Sequence, residues 1–238
     1  MKTIAIMQPY FFPYIGYFSL IHCVDEFIIF DVPQYDRKGW MHRNRILKPN
    51  EGVQFIHAGI EKPPFKAAIK DVMLAGDDEW KSRIFRQLAH YKKMAPHYEQ
   101  TVSWLELILG GCFATLVDLN HHVLLELCRL LHVETPISVF SHMDINVNEV
   151  SHPGEWALEI CKNTGATGYV NPMGGRSIFV SDDFDEAGIS LRFLDHKLPK
   201  YNQYRVDFEK GLSIIDILMF NTVNDVRIML DQYSLSKV

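Results

Sequence analysis

The chain has 238 residues, 47% of them hydrophobic and 22% charged, so it resembles an ordinary globular protein long enough to bury a substantial core. Its 24 basic residues stand against 29 acidic ones, a net charge of −5, which points away from nucleic-acid partners because those require a basic footprint. No stretch approaches the roughly 18 apolar residues of a membrane span, and the run Thr3 to Met7 is too short for a signal-peptide core. Cys23, Cys112, Cys128 and Cys161 are scattered through apolar runs without a CxxC pair and read as buried free thiols of a reducing compartment. The expectation is a cytoplasmic protein that does not insert into membranes.

In chain order, Thr3 to Met7 is apolar on consecutive positions, the pattern of a strand buried on both faces. Gln8-Pro9-Tyr10-Phe11-Phe12-Pro13-Tyr14 cannot be helical, because Pro9 and Pro13 remove donors and restrict the residues before them. Helical spacing begins after Gly16 and runs through Val24; Phe27 to Phe30 is then a second buried strand ending at Asp31. Strand, loop, helix and strand make a βαβ unit with parallel strands. Val32 to Pro49 is polar, aromatic and basic. Val53 to Ile60 alternates like a strand until Pro63-Pro64 breaks it, and helices follow over about 77–93, 95–109 and 113–131.

Ile137 to Phe140 is a short strand. Ser151 stands where an N-cap belongs and Gly165 where a helix closes. Thr167 to Val170 and Ile189 to Phe193 are further strands. Ser213 and Asp216 are spaced like a capping box, and a last helix is expected from Val223 to about Tyr233. The fold class is α/β: a Rossmann-like, mostly parallel sheet in a single domain over 1–238, with a helical subdomain inserted at about 64–135.

Ligands of open α/β sheets settle at the carboxyl ends of parallel strands. That rule selects the loops after the first two strands. In the first, Gln8 offers an amide, Tyr10, Tyr14 and Tyr17 offer rings with hydroxyls, and Gly16 admits a ligand near a helix amino end. In the second, Asp31 and Gln34 precede Arg37, Trp40, Arg43, Asn44 and Arg45. Arginine forks recognise phosphate or carboxylate, and Trp40 offers a stacking face; the competing reading is a solvated basic loop. Tyr14-Ile15-Gly16-Tyr17 also occupies the place of the HxGH motif of nucleotidyltransferases, with tyrosines where that motif has histidines.

Several of these segments together are similar to the WbqC-like protein family. Its opening signature resembles Gln8 through Phe18, and its next blocks resemble Asp31-Val32-Pro33-Gln34-Tyr35 and Trp40 through Ile46. Later blocks resemble Tyr169 through Gly175, Pro199-Lys200-Tyr201-Asn202-Gln203, and Leu212 through Leu218. Departures fall at His42 and at His152-Pro153-Gly154. Members of the family sit among genes for surface-polysaccharide or secondary-metabolite assembly. The resemblance therefore implies a group transferase and a sugar-nucleotide or carrier-linked acyl substrate.

Candidates for acid–base work are His57, at the end of the third strand and on the site's face if that strand is parallel, Asp31, and the pair His152 and Glu155 one turn apart. Asn171, Gly174, Gly175 and Arg176 follow a strand and suit a phosphate-facing loop. Cys161 is a remote candidate nucleophile. His121-His122, and His90 and His97, lack zinc spacing, so no metal site is expected, and the cofactor is left open. The expected activity moves an acyl or aminoacyl group onto an amine of an amino-sugar nucleotide or related metabolite; the partner is a small anionic metabolite, a sugar nucleotide or a carrier-linked acyl donor. Nucleotide-dependent ligation and non-catalytic binding of a glycan precursor are the alternatives. The oligomeric state is open.

Overall fold

The computed structural model describes residues 2–147 and 150–237. Strand β1 (Thr3–Met7) leads through the aromatic loop into helix α1 (Ile15–His22) and back to β2 (Glu26–Ile29). The chain then leaves the main sheet. It forms a hairpin of β3 (Arg43–Leu47) and β4 (Val53–His57), followed by α2 (Glu79–Leu88), α3 (Tyr98–Leu109) and α4 (Leu116–Leu130). It returns with β5 (Ile137–Val139), α5 (Pro153–Thr164), β6 (Gly168–Pro172), α6 (Ser181–Glu186) and β7 (Ser190–His196). It closes with α7 (Ile214–Phe220), α8 (Val223–Leu230) and β8 (Tyr233–Lys237).

The main sheet runs β5-β2-β1-β6-β7-β8, parallel throughout except for the antiparallel β7–β8 pair. Strand order therefore grows outward from β1 in both directions, with the reversal between β1 and β6. The alternation of side chains explains the continuous apolar runs. Ile4 and Ile6 of β1, Ile28 of β2 and Tyr169 of β6 face one layer with Leu158, Ile160 and Cys161 of α5 and Phe184 of α6. Ala5, Phe27, Ile29 and Val170 face the other, with α1, α7, the hairpin and the helices of the long excursion. That second layer is one continuous core, so the helical segment between β2 and β5 shares its interior with the sheet.

Local expectations are met in part. Gly165 closes α5 at φ 67°, in the left-handed region where glycine carries no Cβ penalty. The N-cap of α5 is His152 rather than Ser151: its Nδ1 accepts from the Gly154 N–H, and Pro153 takes the first helical position. Ser213 caps α7, but the Asp216 carboxylate makes no capping box because buried tyrosines claim it. The final helix stops at Leu230, and Tyr233–Lys237 pairs with β7, a strand hidden by its polar alternation. Cys112 is exposed, unlike the other three thiols. Among the described residues no helix is long and apolar enough to cross a membrane.

The largest revision concerns Arg43 to His57. The basic segment expected as a loop is a strand, and β4 pairs with it antiparallel in a separate two-stranded sheet. Asn44 and Ile46 point inward while Arg43 and Arg45 stay half-buried, a two-residue alternation disguised by a polar residue on the inner face. His57 is therefore on a hairpin rather than at the end of a parallel strand, and its ring is exposed beside His42 and Phe55.

Candidate active site

A cleft of about 1110 Å³ opens at the carboxyl ends of β1, β2 and β6, across the reversal of strand order. It is lined by Ile6, Met7 and Gln8 at the end of β1, by Phe30, Val32 and Pro33 after β2, and by Asn171, Pro172, Gly174 and Gly175 at the end of β6 and just beyond it. Tyr10, Tyr14 and Trp40 form one wall. Ser151, His152 and Trp156 at the start of α5, with Tyr169, Ile178 and Phe179, form the other. The lining is dominated by rings and amides and includes no lysine or arginine among the described residues.

The aromatic loop is held by buried side chains that reach its carbonyls. Asn44 Nδ2 donates to the Phe11 and Phe12 oxygens at 3.0 and 2.8 Å, and Ser213 Oγ donates to Phe12 at 2.8 Å. Asn120 Nδ2 donates to Pro9 at 3.1 Å and to Met41 at 2.8 Å, tying the loop and the hairpin approach to α4. These contacts sustain Phe12 at φ 41°, an unfavourable region for an aromatic residue. The Tyr17 hydroxyl donates to the Gln8 carbonyl at 2.8 Å and is fully buried; it braces the loop from below. At Gly16 an added Cβ would lie 2.4 Å from the Tyr14 ring, so this glycine admits a side chain of the protein itself. Burial raises the phenols of Tyr10 and Tyr14 above the usual value, so both remain neutral donors at physiological pH.

On the β6 side, Tyr169 donates to Asn171 Oδ1 at 3.1 Å, while Asn171 Nδ2 donates to the Pro172 carbonyl at 3.0 Å. This pair fixes which way the amide faces. A Cβ on Gly175 would stand 2.2 Å from Asn171 Nδ2, so glycine is required for the turn to lie against that amide. Gly174 has open space around it. Met173–Ile178 then forms a 3-10 helix, whose first N–H groups have no partner within it.

A titratable cluster stands at the start of α5, where Ser151 and His152 line the cleft and Glu155 and Asp183 lie just outside its lining. His152 Nε2 lies 3.4 Å from Glu155 Oε1 and 4.0 Å from Asp183 Oδ2. Ser151 donates through its hydroxyl at 2.6 Å and through its backbone N–H to the Glu155 carboxylate. Those two donors hold the Glu155 carboxyl below the usual carboxylate range, the Ser151 hydroxyl contributing most. The structure thus joins His152 and Glu155 as their spacing implied, and adds Ser151 and Asp183.

Other expected site residues lie elsewhere. Asp31 is fully buried, its carboxylate accepting from the Ser141 N–H at 3.0 Å and hydroxyl at 2.5 Å; it anchors the turn after β5. Gln34 is exposed and its backbone bridges Ala68. Arg37 is exposed. Arg43 donates to the Gly39 and Lys38 carbonyls and covers Phe55; Arg45 donates to Gly211 and covers Trp40 at 5.5 Å. Arg176 projects outward over Phe193. Cys161 is buried in the core layer, where burial pushes its thiol up to about 12. His57 forms a separate group with His42 and Arg43. Burial, then the neighbouring cations, lowers both imidazoles, His42 to about 4. Tyr35 is hydrogen-bonded to His42 Nδ1 at 2.7 Å.

Residues 8–228 match the WbqC-like protein family. The chain belongs to that family. It is also similar to the uncharacterised protein Rv1507c of Mycobacterium tuberculosis (strain ATCC 25618 / H37Rv), with 32% identity over 221 residues, 92% of this chain and 93% of that one. No solved structure matches it. In this member of the WbqC-like family, the blocks noted in the sequence converge on two centres. Gln8, Tyr10 and Tyr14 of the opening block, Val32 and Pro33 of the next, Trp40, and Tyr169, Asn171 and Gly174–Gly175 of the later block line the cleft. The closing block builds the second, a buried Asp216 that accepts from Tyr91, from Tyr201 at 2.5 Å and from Gln203 at 3.1 Å.

Proposed function

We propose that the protein is a group transferase of surface-polysaccharide or secondary-metabolite assembly, moving an acyl or aminoacyl group onto the amine of an amino-sugar nucleotide. The sheet supports a Rossmann-like reading, because its strands follow the third-second-first-fourth-fifth-sixth order whose switch point holds the ligand. The observation that carries the reading is the cleft at that point, aromatic on both walls, with His152 between two carboxylates at its rim. Its volume exceeds the usual range for a small-ligand site, which suits a sugar nucleotide with an acyl donor beside it.

In this reading Trp40, Trp156 and Tyr14 present faces to the sugar or base, and Gln8 and Asn171 discriminate its hydroxyls and amides. The amine nitrogen bonds to the acyl carbon as the carbon–sulfur bond of the thioester breaks, and His152 takes the amine proton and returns it to the departing thiolate. Uptake at Nδ1 replaces the 3.2 Å contact from Gly154, and the imidazolium stands between Glu155 and Asp183.

The test begins with a thermal-shift screen of sugar nucleotides and acyl thioesters, since binding raises apparent stability. Mass detection of the N-acylated product follows. Trp156→Ala should abolish the ligand shift. His152→Ala should lower turnover by about 10²–10⁴-fold with binding retained, and Glu155→Gln should lower it less. Full turnover in His152→Ala, or loss of binding in Arg43→Ala and Arg45→Ala but not in Trp156→Ala, would overturn the site.

A further inference from the structure

Residues 61–71 carry a feature unrelated to the chemistry of the cleft. Pro63 and Pro64 fix the backbone, the Ala67 N–H returns to the Pro64 carbonyl at 3.2 Å, and Lys66 turns at φ 63°. The turn projects Phe65 into solvent, where the ring is 90% exposed. Lys62, Lys66 and Lys70 belong to the same segment and are all exposed, and Lys66 Nζ lies 5.7 Å from the ring centroid.

This tip is tied to a segment that lines the cleft. Backbone bonds join Tyr35 to Ala67, Ile69 to Pro33 and Lys70 to Asp31, each at 2.9 Å. The pairing brings the 61–71 segment alongside Val32 and Pro33, which line the cleft, and places the tip toward the exposed Arg37 and Lys38. None of these five basic side chains forms an ion pair among the described residues. From residue 36 to residue 71 there are eight basic side chains against four acidic, in a chain of net charge −5. Around the tip, Arg37, Lys38, Lys62, Lys66 and Lys70 outnumber the exposed Asp36, Glu61 and Asp71, a local excess of positive charge on an acidic molecule.

We propose that the Phe65 turn docks this protein on an anionic lipid surface, with the cleft opening at the membrane–water interface. A single protruding ring on a turn that carries three exposed lysines suits insertion between lipid headgroups; a protein partner is better matched by a cluster of apolar side chains around a central pocket. Basic side chains near an anionic leaflet add attraction that falls with salt. Docking in this manner would give the cleft access to an acceptor or donor carried by a lipid.

The experiment is flotation of the full chain with vesicles of phosphatidylcholine alone or mixed equally with phosphatidylglycerol, alongside fluorescence of Phe65→Trp. Binding to the mixed vesicles only, weakened severalfold by Phe65→Ser and abolished by high salt or by combined Lys62→Gln, Lys66→Gln and Lys70→Gln, is expected. The Phe65→Trp emission, measured against the unsubstituted chain, should shift to the blue on the mixed vesicles. Circular dichroism and the unfolding midpoint should stay unchanged in these surface variants, which separates lost docking from misfolding. Failure to float, equal binding to both vesicle types, or an emission shift elicited by an acidic carrier protein but not by vesicles would overturn the proposal. Because lipid binding is read without turnover, its failure leaves the transferase assignment untouched.

Discussion

Asp216 offers the sharpest physical test of the structure. It is completely buried on α7 and accepts from Tyr91 in the turn after α2, and from Tyr201 at 2.5 Å and Gln203 at 3.1 Å in the 199–211 segment. Burial pushes its carboxyl from 3.8 up to about 6, against the pull of the three donors. A carboxyl raised in the folded state favours folding most when it is protonated in both states, below pH 3.8. That contribution is lost as pH climbs through 6. The difference of roughly two pH units corresponds to about 3 kcal/mol.

Asp216→Asn keeps the shape and removes the titration. Its amide cannot satisfy all three donors, which adds a pH-independent penalty that drops out of the comparison. Urea unfolding of both proteins from pH 4 to pH 8 should therefore show the native protein losing about 2.5 kcal/mol relative to the variant, most of it between pH 4 and pH 7. Tyr201→Phe removes one donor to the ionised form and should move the transition to higher pH. A difference that stays flat with pH, or one in which the native protein gains on the variant as pH rises, would refute the reasoning.

Asn44→Ala removes two donors from buried carbonyls of the aromatic loop and should lower unfolding free energy by about 2–4 kcal/mol; a denaturant midpoint shift equivalent to less than about 0.5 kcal/mol would contradict the clamp. Gly175→Ala must displace Asn171 and should weaken ligand binding in calorimetry while leaving the unfolding midpoint nearly unchanged. His42, lowered to about 4 chiefly by burial, should stay neutral from pH 8 to pH 5 in imidazole NMR titration, whereas an ordinary histidine gains its proton over that range.

The sequence displayed those elements whose burial is two-sided. The strands at Thr3 and Phe27 are apolar at every position because both faces are covered, so their parallel pairing and the ligand end of the sheet could be reasoned out. The β3 strand was concealed because its inward residue is Asn44, a polar group buried to hold carbonyls that are distant in sequence. Its signal was the alternation Asn44, Ile46 against Arg43, Arg45, followed by Gly52 in the turn at φ 70°. The arginines drew attention as ligand forks, yet two of them spend donors on carbonyls and cover rings with their guanidinium planes. Trp156 was missed, although it lies one turn inside the helix that begins at His152, on the same side of the cleft. Phe30 carries no signal beyond its place at a strand end, and Tyr169 none beyond its strand and the family block it opens.

The placement of β1 at the centre of the sheet bears on how the chain folds as it is synthesised. One edge of β1 is covered early, because Ile4 to Met7 pair with Glu26 to Ile29. The other waits for Gly168 and Tyr169, and β2 waits for Ile137 to Val139. Until those distant segments leave the ribosome, a nascent parallel pair would display unsatisfied backbone edges and bare apolar faces. Long-range strand pairing of this kind slows folding and exposes intermediates to aggregation. Translation at reduced temperature, or in the presence of chaperones that shield strand edges, should therefore raise the soluble yield of this protein more than it does for one built from sequential hairpins.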